Sequence, residues 1–279
     1  WLALRIRDGE CVMRVVPWAE MLAGTADMPR ASAVTIGVFD GLHLGHRALV
    51  SRVVSMAPEL VPVAVTFKDN PKKVTRPHRF SGDLFSVDQK LAALEEAGIQ
   101  LCVLIDFSGN FSKLAGSEFV STLVRFCGVR TFVVGSDFKC GHRLSTDAKG
   151  LAAIAAGLGV GTDIVAPVLL EGDIVSSSRI RSAIENGRTD LALAMLGRPY
   201  TLDLRGIGIN SDGSDAMAVL RGRGVVEPAP GTYEATLLGS DFRKDVEATL
   251  RLDGTVRWPV NGWSGGNDPD FLAFGPKIA

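Results

Sequence analysis

Cysteine, histidine and net charge are all scarce in this chain. Its 279 residues include four cysteines, at 11, 102, 127 and 140, with no Cys-x-x-Cys pair. That spacing excludes a disulfide-stapled scaffold and a cysteine-built zinc site. Cys102 and Cys127 sit among Val, Leu, Ile and Phe, as buried reduced thiols of a cytoplasmic protein would. With 30 Lys and Arg against 31 Asp and Glu, no basic stripe prepares a surface for duplex nucleic acid. Any phosphate recognised is therefore expected on a small molecule. No apolar run reaches the roughly 20 residues of a membrane span. Trp1 to Cys11 is interrupted by Arg5, Arg7, Asp8 and Glu10, unlike a secretory signal. Residue 1 is Trp, Met13 is an alternative start, and residues 1–12 carry no functional expectation. Nor is there a nucleophilic triad or a pair of carboxylates spaced for acid–base work.

What is present is concentrated. Two of the four histidines, His43 and His46, lie within Ile36-Gly-Val-Phe-Asp-Gly-Leu-His-Leu-Gly-His46. The apolar run Ala33 to Ile36 precedes this stretch and a helix-compatible run, Arg47 to Met56, follows it, so it reads as strand, glycine-rich turn, helix. Gly37, Gly41 and Gly45 allow close backbone approach to an anion, and the helix start offers N–H groups and a positive dipole end. Three residues apart, the imidazoles share a face and can point at one phosphate. A metal pair is the other reading of such spacing, but no Cys, Asp or Glu cluster completes a ligand set.

Gly37-Val38-Phe39-Asp40-Gly41-Leu42-His43-Leu44-Gly45-His46 resembles the signature of bacterial FAD synthetases, FMN adenylyltransferases commonly fused to a riboflavin kinase. The His-x-Gly-His part is shared across nucleotidyltransferases, and Gly-x-Phe-Asp-Gly narrows the likeness to the flavin branch. Further matches follow in order. Thr66-Phe67-Lys68-Asp69-Asn70-Pro71 stands where the family reads Thr-Phe-x-Pro-His-Pro, so Phe67 and Pro71 are carried over as flavin-binding. Gly135-Ser-Asp137-Phe138-Lys-Cys140-Gly141 matches a family loop serving nucleotide and flavin, with Cys140 replacing an aromatic and surrendering its stacking surface. Ser176-Ser177-Ser178-Arg179-Ile180-Arg181 resembles the family's Ser-Ser-Thr-x-Ile-Arg. One serine suffices for a helix cap; three with two arginines suit an anion site better. Leu196 to Tyr200 matches the family's junction.

The resemblance covers roughly residues 32 to 200. It implies a Rossmann-like α/β nucleotidyltransferase domain over 13–186 and a linker over 187–200, and the short alternating runs after Thr201 predict a small antiparallel β-barrel over 201–279. It assigns His43, His46, Arg179 and Arg181 to catalysis. ATP falls to Gly37, Phe39, Asp40, Gly41, Gly45, Asp137, Ser177 and Ser178, and flavin to Phe67, Pro71 and Phe138. The two phosphate elements would close on ATP from opposite sides. The implied reaction is attack by the FMN phosphate on Mg-ATP, giving FAD and pyrophosphate; Mg²⁺ comes with that chemistry, its protein ligands unassigned. No Pro-Thr-Ala-Asn occurs in the chain, so the barrel is expected to be a degenerate kinase-like module. Transfer to another phosphorylated acceptor, residual kinase activity and a non-catalytic flavin-binding module remain open alternatives.

Other local signals complete the expectation. Residues 72–82 form a basic loop with Lys72, Lys73, Arg76, His78 and Arg79, suited to steering anions if it lies beside the phosphate site. Ser86 and Gln89 match a helix capping box. From Thr201, short alternating runs at 204–209, 217–220, 232–238, 248–252 and 255–258 predict strands, the last two joined at Asp253-Gly254 by a type I′ turn.

Overall fold

A computed structural model describes residues 12–75, 77–107, 111–260 and 268–278. The opening Trp1 to Cys11 segment, Arg76 of the basic loop and the Arg79 side chain lie outside the described residues. The chain divides into two compact units. Among the described residues, one holds those up to Pro77 together with Leu91–Leu169; the other holds His78–Lys90 and those from Leu170 onward.

The first unit is built on a six-stranded parallel sheet: β1 (Arg14–Pro17), β2 (Ser32–Ile36), β3 (Val61–Phe67), β4 (Leu101–Ile105), β5 (Val129–Gly135) and β6 (Gly161–Val165). Their order is β1-β4-β3-β2-β5-β6. Helices α1 (Trp18–Ala23), α2 (Leu44–Val54), α3 (Val87–Glu96), α4 (Gly116–Cys127) and α5 (Ala148–Gly157) alternate with them. Every residue of β2 is buried, while edge strand β6 has none buried, as expected for a sheet covered on both faces at its centre. Val34, Ile36, Val63, Val65, Val103, Phe132 and Val134 pack with Phe119, Val120 and Leu123 of α4 and Leu151 and Ala155 of α5. Gly128 ends α4 in the left-handed region at φ 58°, and a Cβ there would meet the Pro29 carbonyl oxygen at 2.5 Å. At the start of α3, whose residues up to Lys90 belong to the other unit, the expected capping box forms: Gln89 Oε1 accepts from Ser86 N at 2.9 Å and Ser86 Oγ from Gln89 N at 3.2 Å.

The strand order positions a site. From β2 the chain proceeds to β3 on one side, and after β4 it crosses to β5 on the other. The carboxyl ends of β2 and β5 thus flank a topological switch point, where open α/β sheets bind ligands.

The second unit contains α6 (Ser177–Glu185), α7 (Thr189–Leu196) and seven antiparallel strands, β7 (Tyr200–Asp203), β8 (Ile209–Ser211), β9 (Asp215–Val219), β10 (Gly231–Leu238), β11 (Arg243–Leu250), β12 (Thr255–Pro259) and β13 (Phe271–Lys277). Ordered β7-β13-β10-β11-β12-β9-β8, they make a half-barrel. Burial alternates along β10 and β12, as the sequence pattern predicts. Three details differ from expectation. Residues 204–208 turn, with Ile207 N donating to Leu204 O, so the strand ends at Asp203. Thr189–Leu196, within the stretch expected as a linker, is helical. At the β11–β12 hairpin only Gly254 has positive φ (80°), and Gly254 N donates to Arg251 O while Arg251 N donates to Thr255 O. That is a three-residue loop with glycine at the left-handed position; a type I′ turn needs two such residues.

Candidate active site

The glycine-rich loop leaves β2 at the switch point in an uncommon backbone path. Phe39, Gly41 and Leu42 have φ of 51°, 80° and 36°. At Gly37 a Cβ would lie 2.9 Å from the Phe39 ring, so the first glycine makes room for the loop's own aromatic. Phe39 is fully buried and Asp40 is 4% exposed, so both shape the loop from inside. Its neighbour strand holds it: Gly37 N donates to Val65 O at 3.1 Å, and Thr66 Oγ1 donates to Val38 O at 3.0 Å.

His43 is the N-cap of α2, and its Nδ1 accepts from His46 N at 3.4 Å. The two imidazoles stack, centroids 3.7 Å apart and planes 18° apart, with the Phe39 ring edge-on to His46 at 5.3 Å. Because Nδ1 of His43 is the acceptor, the neutral ring carries its proton on Nε2, as a donor. Gly45 is the second residue of α2, whose first turn contains no acidic side chain. A helix start so composed favours an anion.

All six strands are parallel, so the loops after β3, β4 and β5 reach the same sheet edge. After β3, Phe67 contacts Phe107 and Phe111 at 5.8 and 5.9 Å, and those two contact each other at 5.9 Å, three half-buried rings in mutual edge contact. Phe107 and Phe111 were not anticipated; Phe107 carried a signal, an aromatic just past the end of a buried parallel strand, and Phe111 carried none. Pro71 opens the Lys72–Thr75 helical turn. After β5, Phe138 N donates to Gly135 O at 3.0 Å, and a Cβ at Gly135 would meet Asp137 Oδ1 at 2.8 Å. Phe138 packs partly against the core, while the Cys140 side chain joins it. Burial pushes the Cys140 thiol up to about 11.

In the second unit, Ser176 caps α6, accepting from Arg179 N at 3.3 Å, which leaves Ser177 and Ser178 as the first helical residues. The two arginines engage different segments. Arg179 Nη1 donates to Leu170 O at 3.0 Å and Asp173 O at 3.2 Å, with the Glu171 and Asp173 carboxylates 3.8 Å from Nη2. Arg181 is 6% exposed; its Nε donates to Gly82 O at 2.7 Å, and its guanidinium lies 5.1 Å from the Phe80 ring centroid.

A parallel sheet with a glycine-rich turn and a helix start free of acidic side chains at its switch point defines an α/β protein of the nucleotide-binding kind. Residues 25–179 match the FAD synthetase family model. The chain is 30% identical over 207 residues to the bifunctional riboflavin kinase/FMN adenylyltransferase of Haemophilus influenzae, covering 72% of this chain and 67% of that one. With the Bacillus subtilis protein of the same description the identity is 29% over 184 residues, 65% of this chain and 57% of the other. The chain belongs to the FAD synthetase family. Its fold is also similar to a crystal structure of a macrolide-efflux protein from Streptococcus pneumoniae, with TM-score 0.82, 24% identity, and 95% and 91% of the two chains covered.

Proposed function

We propose that this chain is an FMN adenylyltransferase: the FMN phosphate attacks the α-phosphorus of ATP, its oxygen bonds to phosphorus, the bridge to the β-phosphate breaks, and FAD and pyrophosphate leave. Family membership supports the reaction class, and the observation that carries the reading is the stacked His43–His46 pair at the start of α2. A phosphate oxygen is already anionic, so no protein nucleophile or base is required. Catalysis then consists of alignment and of stabilising charge on the α-phosphate and departing pyrophosphate. The Nε2 proton of His43, the His46 ring and the N–H groups of Gly41, Gly45 and the first turn of α2 are suited to that task. The roles of Ser177, Ser178, Arg179 and Arg181 in binding triphosphate, and of Asp137 in binding the nucleotide, rest on the sequence resemblance. The half-buried rings of Phe67, Phe107 and Phe111 support a flat aromatic acceptor, with Pro71 and Phe138 beside it in the family pattern.

Among the described residues no group of three or more His, Cys, Asp or Glu could hold a metal ion. Mg²⁺ is accordingly proposed to arrive on the ATP phosphates, its usual mode of binding. The missing Pro-Thr-Ala-Asn supports the absence of riboflavin kinase activity. Chromatography after incubating the protein with Mg-ATP and either FMN or riboflavin tests both halves. FAD is expected from FMN and no flavin nucleotide from riboflavin. No FAD from FMN refutes the transferase, and FMN made from riboflavin refutes the loss of kinase activity.

A further inference from the structure

The loop that carries the histidines holds three residues at positive φ, two of them Phe39 and Leu42, for which that region is costly. Such geometry persists only where surrounding contacts over-determine it. Three of those contacts come from β3 and the turn that follows it. Val65 O receives the Gly37 N–H, Thr66 Oγ1 reaches Val38 O, and Asn70 Nδ2 reaches Asp40 Oδ2 at 3.5 Å. The clamp is itself braced. Thr66 is fully buried and Asn70 is 5% exposed. Asn70 Oδ1 accepts from Lys72 N at 3.1 Å and its carbonyl from Lys73 N at 2.9 Å, so one side chain ties the basic helical turn to the glycine-rich loop.

We propose that Thr66 and Asn70 are positioning residues: they hold Val38 and Asp40 so that Phe39 and the His43–His46 stack stay aimed at the phosphate to be transferred. This rests on the adenylyltransferase reading. Asn70 is the informative one, because it stands where the family pattern has histidine, and here it supplies both a donor to Asp40 and an acceptor to the Lys72 N–H. Asn70→Asp keeps the acceptor and sets a second carboxylate against Asp40 in place of the donor, and Thr66→Val removes the hydroxyl at nearly constant shape. Neither opens a large cavity, whereas Asn70→Ala risks misfolding.

Two readouts separate the possibilities: kcat and KM for FAD formation from Mg-ATP and FMN, and the imidazole Cε1–H resonances of His43 and His46, assigned with His→Gln variants. Circular dichroism confirms folding of each variant. Loss of aim is expected to lower kcat about ten- to a hundredfold in Asn70→Asp and Thr66→Val, with KM for ATP changed far less, and to shift both resonances. Restored kcat and resonances in Asn70→His, the family residue, would support the same role. Unmoved resonances overturn the proposal, whether kcat falls or not. If the wild-type protein makes no FAD yet the resonances shift, the clamp stands and the adenylyltransferase reading fails.

Discussion

Single side chains in this chain fall into those that touch phosphate by proposal and those that the fold has consumed. His46 belongs to the first group. Losing one such donor typically removes ~2.7 to 4 kcal/mol of transition-state stabilisation, so His46→Ala is expected to cut FAD formation about a hundred- to a thousandfold without a matching loss of melting temperature. Full activity in that variant would remove His46 from the mechanism. Arg181 differs because its guanidinium is buried against Gly82 O and the Phe80 ring. Arg181→Ala is expected to lower both turnover and thermal stability, since it strips a buried carbonyl and a ring of their partner. The two measured together show whether the residue has one task or two. Two thiols belong to the fold: burial pushes Cys127 up to about 12 and Cys140 up to about 11. Since the thiolate is the reactive form, iodoacetamide at neutral pH should leave both unmodified until denaturant is added, as peptide mass mapping would show.

Among the elements, helix ends give the clearest predictions. Ser86→Ala breaks the capping box of α3 at a cost of about 1 kcal/mol, and it also removes the 2.8 Å bond from Ser86 Oγ to Asp203 Oδ2. At Gly128 the penalty is of another kind. Alanine there meets both a positive φ of 58° and the backbone oxygens of Pro29 and Arg30 within 2.6 Å. Backbone atoms cannot swing aside as a side chain can, so Gly128→Ala should depress the melting temperature more than Ser86→Ala does. Equal shifts would mean that the 29–30 turn yields easily.

For the molecule as a whole, acid is the informative perturbation. Burial alone would raise the Asp203 carboxyl, but hydrogen bonds from Arg205 and Ser86 outweigh it and hold the group below the usual carboxylate range. A depressed folded-state value means stability present above the unfolded pKa of about 3.9 and lost as pH falls through the folded one. The exposed Asp212 carboxylate, brought down to about 2 by N–H groups of Asp215 and Ser214, acts in the same direction. Melting temperature should therefore fall steeply as pH drops below about 4, and Asp203→Asn should flatten that fall while lowering stability at neutral pH. An unchanged acid limb in Asp203→Asn would place the sensitivity elsewhere. Among the described residues no helix is long and apolar enough to cross a membrane.

By itself the sequence determined what depends on neighbours in the chain. The strand, glycine-rich turn and helix around His43, the capping box at Ser86, the glycine stop at 128 and the alternation of the antiparallel strands are all carried by residues within a few positions of one another. Tertiary structure decided what depends on distant partners. The sheet order that opens the switch point, the meeting of Phe67 with Phe107 and Phe111, the bond from Arg181 to Gly82 and the reach of Asn70 to Asp40 join residues 30 to 99 positions apart. Periodicity and turn chemistry record local conformational preference and the side of an element that is apolar. They hold no record of which buried donor finds which acceptor, because that pairing is chosen only when packing removes water from both.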